Sequence, residues 1–266
     1  MPDTETSLAT APRPGDSYVQ SFARGLAVIR SFDARAPQQT LTEVAQRTGL
    51  TRAGARRILL TLEGLGYVRS QGRHFGLTPK ILDLGFAYLS SLPLWNLAEP
   101  VMEKLVEDVK ESCSAAVLDG ADIVYVLRVP THKIMSINIG IGSRLPAACT
   151  SMGRTLLAEL DEAALDDLLR RHPPQARTAR TLTDVAALKA ELARVRRQGW
   201  CVVDQELEEG LVSLSVAIRD RAGRAIAAMN VSGQAARTPA ATMVERFLPR
   251  LQAAAAQIAQ MLHAKA

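Results

Sequence analysis

Aromatic residues are scarce. Phe, Trp and Tyr make up only 4% of the 266 residues, so any core must be built from aliphatic side chains. No apolar run approaches the roughly 18 residues needed to cross a bilayer. The opening MPDTETSLATAPRPGD has neither the charged start nor the apolar stretch of a secretion signal, and a cytoplasmic protein is expected. The three cysteines, Cys113, Cys149 and Cys201, are odd in number and far apart. That excludes a disulfide framework or zinc spacing and leaves them as small buried hydrophobes. The four histidines, His74, His132, His172 and His263, include no pair at helical ligand spacing. No metal or other cofactor is expected. A serine hydrolase wants G-x-S-x-G, but the nearest run, Cys149-Thr150-Ser151-Met152-Gly153, lacks the first glycine. Phosphate-loop and dinucleotide fingerprints are missing too, so an enzyme is not expected.

What is present is charge in one place. Residues 1 to 80 hold eleven Lys and Arg against six Asp and Glu, an excess of five that accounts for the whole net +5 of the chain. Ten of the eleven cations are Arg, the side chain suited to phosphate and to guanine edges. A basic first third joined to a neutral remainder points to nucleic-acid binding in the former. The length suits two domains.

Residues 1 to 16 carry Thr, Pro and Ala without a hydrophobic period and read as a disordered tail. A helical period starts at Ser17, with Phe22, Leu26 and Ile29 on one face, and DARAPQQ follows as a loop. LTEVAQRTGL reads as a short helix with Thr42 as candidate N-cap and Gly49 as its stop. Thr51 then caps RAGARRILLTLEGLG. Two short helices joined by a turn containing Gly make a helix-turn-helix. In the second helix Ala55, Ile58, Leu59 and Leu62 form a core stripe with Leu65 one turn on. Ala53 and Arg57 lie opposite, with Arg52 and Arg56 on the flanks, as insertion into a major groove requires. YVRSQGRHFGLTP reads as two strands around Gln71-Gly72, a wing carrying Arg69, Arg73 and His74 toward phosphates or the minor groove. The DNA-contacting set is therefore Thr51, Arg52, Ala53, Arg56, Arg57, Arg69, Arg73 and His74.

Residues 80–94 read as an apolar linker helix ended by Pro93 that packs on the winged domain, a partner chain, or both. Beyond Trp95 the pattern alternates. A helix bears Leu97, Val101, Leu105 and Val109. A hairpin turns at Asp119-Gly120, and MSINIG reads as a strand. Helices start at Ser151 and run on to Arg171, a polar connection covers 172–183, a further helix spans Thr183 to Arg197, a strand runs from Trp200 to Val203, a second hairpin turns at Ala222-Gly223, and a final helix spans 238–263. Hairpins mixed with flanking helices give an α+β fold.

Six segments resemble the IclR family of bacterial regulators, and most of all its PcaR/PcaU/PobR members. They are SFARGLAVIRSFD, LTEVAQRTGLTRAGARRILLTLEGLGYV, LTPKILDLGFAYLSSLPLW, AVLDGADIVYVLRV, INIGIGSRLPAACTSMGRTLLAEL and EEGLVSLSVAIRDRAGRAIAAMNVSG. The resemblance implies a winged helix-turn-helix (17–79), a linker helix (80–94) and a GAF-like α/β effector-binding domain (95–266). It also implies homodimers that pair into dimers of dimers on double-stranded operator DNA. The implied effector is a small carboxylate such as protocatechuate, 4-hydroxybenzoate or β-ketoadipate, or an acid of another pathway. Gly54 departs from the Ala expected in the recognition helix.

A small carboxylate needs N–H donors or a cation and an apolar slot. Candidates are Arg144, with Ser151, Met152 and Gly153 at a helix start. Ser213, Asn230 and Ser232 line the pocket by resemblance. Asp204 and Glu206 would gate or accept from ligand hydroxyls, and Leu127, Met135 and Leu145 would sandwich a ring. The competing reading makes Ser213 and Ser232 satisfied strand hydroxyls and Arg144 a surface charge. Ligand would then shift the population of effector-domain arrangements, and the linker helices would relay this to the spacing of two winged domains.

Overall fold

The computed structural model describes residues 18–90, 94–131 and 139–265. The tail 1–16, Met135 and most of the strand expected at MSINIG lie outside them. The described residues divide into two compact units, one up to Tyr88 and one from Leu89 on.

The first unit runs α1 (Gln20–Arg30), β1 (Gln38–Thr40), α2 (Leu41–Thr48), α3 (Arg52–Gly64), β2 (Val68–Gln71) and β3 (His74–Leu77). A single 3-10 turn at Pro79–Ile81 follows, then α4 (Leu82–Ser90). Gly49, in the left-handed region at φ 66°, ends α2 as expected. The start of α2 differs from expectation. Thr40, not Thr42, is the N-cap, because Thr40 and Glu43 form a reciprocal capping box: Thr40 Oγ1 accepts from Glu43 N–H, and the Glu43 carboxylate accepts from Thr40 N–H at 2.6 Å. The expected loop before it also supplies β1, which pairs antiparallel with β3 and makes the wing a three-stranded sheet of order β1-β3-β2. Val28, Val44, Ala55, Leu59, Leu62 and Val68 form the core. Leu65 does not join it. It lies exposed in a groove beside Phe22 and Leu26 of α1.

The second unit includes α5 (Leu94–Val109); of the stretch expected as a linker helix, Leu82–Ser90 lie in α4 and Leu94 begins α5, and 91–93 lie outside the described residues. Then come β4 (Ser112–Asp119), β5 (Asp122–Val129), β6 (Arg144–Pro146), α6 (Ser151–Leu157), α7 (Glu162–Arg171), α8 (Val185–Gln198), β7 (Trp200–Asp204), β8 (Leu211–Arg219), β9 (Ala225–Gln234) and α9 (Ala240–Lys265). The six strands form one antiparallel sheet of order β6-β5-β4-β9-β8-β7. Both faces are covered. Val212, Leu214, Val216 and Ile218 of β8 pack with α5 and α9. Between them lie Ser213, Ser215 and Ala217, and both serines meet α6. A strand buried on both sides would normally be apolar throughout. Here Ser213 and Ser215 make the α6 face of β8 polar.

Candidate functional sites: a DNA-reading surface and a polar cavity

On the first unit, Thr51 Oγ1 accepts from Gly54 N–H at 3.1 Å and starts α3. Arg52, Ala53, Arg56 and Arg57 are all exposed on that helix, and Arg69, Arg73 and His74 are exposed on the wing. None of these five arginines forms an ion pair among the described residues, whereas Arg47 is committed to Asp33 at 2.6 Å. The wing is fastened to α3: Glu63 accepts from Ser70 N–H (3.1 Å) and Ser70 Oγ–H (2.5 Å). Lys80 donates to the carbonyl of Leu65 at 2.9 Å and lies over the Tyr67 ring. A cation at the end of α3 meets the negative end of the helix dipole. Free cations on a helix and a hairpin held in fixed relation suit a duplex backbone and groove.

On the second unit a cavity opens on the α6 side of the sheet. Its floor is polar: Ser114 from β4, Ser213 from β8, Asn230 and Ser232 from β9, and Ser151 from α6. Buried hydroxyls and amides must be bonded, and the Asn230 amide and the Ser151, Ser213 and Ser232 hydroxyls are bonded to one another. Ser151 and Ser213 hydroxyls share a 2.6 Å bond. Asn230 Nδ2 donates to Ser213 Oγ at 2.9 Å, and Asn230 Oδ1 accepts from Ser114 N–H at 3.1 Å. Met152, Val203, Leu207 and Leu211 supply the apolar wall. Ser112, Tyr125, Arg128, Ile139, Cys149 and Thr150 complete the lining. The cavity volume is about 30 Å³, room for no more than a few waters. Burial pushes the Tyr125 hydroxyl up to about 12, so it is a neutral donor at ordinary pH. Burial also raises the Cys149 thiol, which makes it a poor nucleophile.

Arg128 owes its place to a β-bulge. On β4, Ala115 pairs with Leu127 and Ala116 with Tyr125, so Val126 is one residue too many on β5. An extra residue flips the alternation beyond it. Tyr125 faces α6, and Val126 and Leu127 both join the α5 and α9 core. Arg128 returns to the cavity face beside Ser114. Among the described residues Arg128 has no ion-pair partner.

The model of the IclR helix-turn-helix domain matches residues 21–72, and that of the bacterial transcriptional regulator IclR C-terminal domain matches 86–260. The Pca regulon regulatory protein of Pseudomonas putida is 46% identical over 92% of this chain and 84% of its own length. The chain belongs to the IclR family of bacterial transcriptional regulators. Its IclR relatives include the p-hydroxybenzoate hydroxylase transcriptional activator of Acinetobacter baylyi, 31% identical over 93% of each protein. An IclR homolog from Microbacterium hydrocarbonoxydans, crystallised with 4-hydroxybenzoate, superposes with a TM-score of 0.82 at 26% identity, covering 92% of this chain and 99% of that one. These relatives are regulators, not enzymes, and this IclR protein is a DNA-binding regulator.

Of the residues expected to bind effector, the IclR fold brings Ser151, Met152, Ser213, Asn230 and Ser232 to one cavity. Others lie elsewhere. Leu127 faces the opposite core because of the bulge. Arg144 sits at the surface, donating to Asp119 at 2.6 Å and Asp122 at 3.2 Å across the first hairpin's turn. Leu145 packs against the α6–α8 core without lining the cavity. Gly153 is pressed on the turn before α6, and its N–H is taken by Thr150 Oγ1. Asp204 pairs with Arg180 at 2.7 Å, and Glu206 accepts both terminal nitrogens of Arg154. Sequence reasoning missed Ser114, Tyr125 and Arg128. The alternation of Ser112 and Ser114 with Cys113 and Ala115 was the available signal for β4.

No helix among the described residues is long and apolar enough to cross a membrane, and no described group of His, Cys, Asp and Glu could hold a metal ion.

Proposed function

We propose that this regulator binds a small aromatic hydroxy acid in the β4–β9 cavity and operator DNA through α3 and the wing. The observation carrying the effector reading is a guanidinium without a counter-ion among the described residues, Arg128, facing a floor of hydroxyl and amide groups. A carboxylate would pair with Arg128, while Tyr125 and the Ser114–Asn230–Ser213 cluster would exchange hydrogen bonds with ring hydroxyls. Met152, Val203 and Leu207 would cover the ring. The 4-hydroxybenzoate held by the Microbacterium homolog supports the same class of ligand here. A ring cannot enter some 30 Å³ without parting the walls, so binding is coupled to a change of shape.

The regulator acts as a homodimer, and as a dimer of dimers at the operator. The winged unit leaves Phe22 67%, Leu82 70% and Phe86 68% exposed along α1 and α4, with an apolar groove between Leu26, Leu65 and Leu84. A contiguous apolar face of this kind calls for a partner, and a second copy supplies the matching one. Residues 17–79 form the DNA-binding domain, 80–94 the connection and 95–266 the effector domain, in the cytoplasm. The test is calorimetric titration with 4-hydroxybenzoate, protocatechuate and adipate, with a mobility shift on the promoter fragment adjoining the gene. An aromatic hydroxy acid should bind and alter the shift. If none of the acids binds, the effector reading fails. If no duplex is retained at low salt, the DNA surface is wrongly assigned.

A further inference from the structure

Beside the cavity, Arg154 of α6 is 2% exposed and is among the largest fully buried side chains of the protein. Its Nη1 donates to Glu206 Oε1 at 2.6 Å, its Nη2 to Oε2 at 2.5 Å, and its Nε to the carbonyl of Ala148 at 2.7 Å. Glu206 Oε2 accepts a further bond from Leu182 N–H at 2.8 Å, and the Glu206 carbonyl accepts from Thr181 Oγ–H at 2.6 Å. Every side-chain nitrogen and oxygen of this pair is thus engaged. A buried ion pair gains little over an apolar pair of the same shape, because both charges lose their water. Its presence speaks to geometry more than to stability.

The geometry concerns the turn between β7 and β8. Gln205 holds a left-handed backbone at φ 62°. Its side-chain Oε1 accepts from Gly210 N–H at 3.0 Å, and its N–H donates to the Leu211 carbonyl at 2.7 Å. The turn is therefore closed by hydrogen bonds of its own. Leu207 within it and Leu211 at its end line the cavity. Ser151 and Met152, just before Arg154 on α6, line it as well. The serine and threonine pairs Ser151–Ser213 and Thr155–Ser215 join α6 to β8, and the Arg154–Glu206 pair extends that seam to the turn. Neither charged side chain lines the cavity itself.

We propose that Arg154 and Glu206 are positioning residues that clamp the Leu207 turn against α6 and thereby set how wide a ring the cavity accepts, without touching the effector. The inference rests on the effector reading above. The arrangement assigns a bidentate guanidinium to the task because two parallel bonds fix an orientation that a single point charge leaves free.

The test uses the full-length protein, E206Q and the double variant R154M/E206M. Hydrogen–deuterium exchange without ligand follows the turn amides up to Gly210. Calorimetry compares 4-hydroxybenzoate with the bulkier 4-hydroxy-3-methoxybenzoate. In E206Q the turn amides should exchange at least about tenfold faster while β8 stays protected, and the ratio of the two dissociation constants should move toward the bulkier acid by about tenfold. The double variant removes both charges. It also loses the bonds to the Ala148 carbonyl and from the Leu182 N–H, so its thermal midpoint is measured beside it, and it should show the same loss of size discrimination, which a purely structural pair would not. Unchanged exchange, or equal weakening toward both acids, overturns the proposal. A parent protein that binds neither acid sinks the effector reading alone, and the exchange rates then still decide whether the pair clamps the turn.

Discussion

Arg128 stands directly opposite Ser114 on the β4–β5 ladder, and both line the cavity that holds Asn230. The pairing exists only because Val126 has no partner on β4. Were β5 regular, the face of Ile123 and Tyr125 would continue through Leu127, and a guanidinium would be driven into the aliphatic core of α5 and α9.

The first prediction concerns that cation. Arg128→Ala should raise the dissociation constant for 4-hydroxybenzoate about 10- to 100-fold, the worth of a charge-assisted hydrogen bond of about 1.5–3 kcal/mol. Arg128→Lys should recover part of the loss. Operator affinity without ligand should stay the same, as measured by fluorescence anisotropy. An unaltered calorimetric affinity in Arg128→Ala would remove this residue from the site.

On the DNA side the exposed arginines should divide by role. Arg57→Ala should weaken binding to the operator by about 1–3 kcal/mol and blunt its sequence preference, as loss of a base contact does. Arg73→Ala should weaken all duplexes alike and lower the slope of log K against log salt by about 1. Anisotropy titrations on operator and scrambled duplexes across a salt series separate the two. Equal losses on both duplexes for Arg57→Ala would make it a phosphate contact instead.

Gly54 breaks the helix-forming pattern of α3. A methyl group added there would meet only Thr51 Oγ1, at 3.2 Å, and Thr51 is exposed and able to yield. Gly54→Ala should therefore stabilise the winged unit, by up to about 1 kcal/mol from helix propensity. Its thermal midpoint should rise by a few degrees. A fall would mean that the Thr51 cap is lost.

Two carboxylates brace the same unit. The hydrogen bond from Arg47 holds Asp33 below its ordinary 3.8, and the N–H of Thr40 holds Glu43 below its ordinary 4.5. Both folded values lie under the unfolded ones, so the stabilisation is complete above about 4.5 and is lost as pH falls through and below these values. Thermal midpoints of the winged unit should be flat near neutrality and drop on acidification. The D33N/E43Q variant should show a shallower drop. Coinciding acid profiles for parent and variant would refute the assignment.

The helix-turn-helix was legible because each of its marks is local: Gly49 for the left-handed stop, Thr51 for the cap, and a period placing Ala55, Leu59 and Leu62 on one side. The cavity was legible only in part. Ser213, Asn230 and Ser232 stand out as polar residues at alternate places in apolar strands. The bulge had no such mark, since DIVYVLRV contains no Gly or Pro to announce it, and one uncounted residue exchanged Leu127 for Arg128. Arg144 misled for a different reason. Its partners Asp119 and Asp122 belong to the preceding hairpin, and only the pairing of β6 with β5 brings them near.

Gly153 lies so close to the turn before it that a Cβ would sit 2.2 Å from the carbonyl oxygen of Ala147. No other amino acid fits without displacing the main chain at Ala147. The junction beneath the serine cluster is thus closed to substitution, whatever ligand a descendant of this protein is selected to sense. On the effector reading proposed above, a change of ligand preference would come through the strand that carries Tyr125 and Arg128 and through the Leu207 turn.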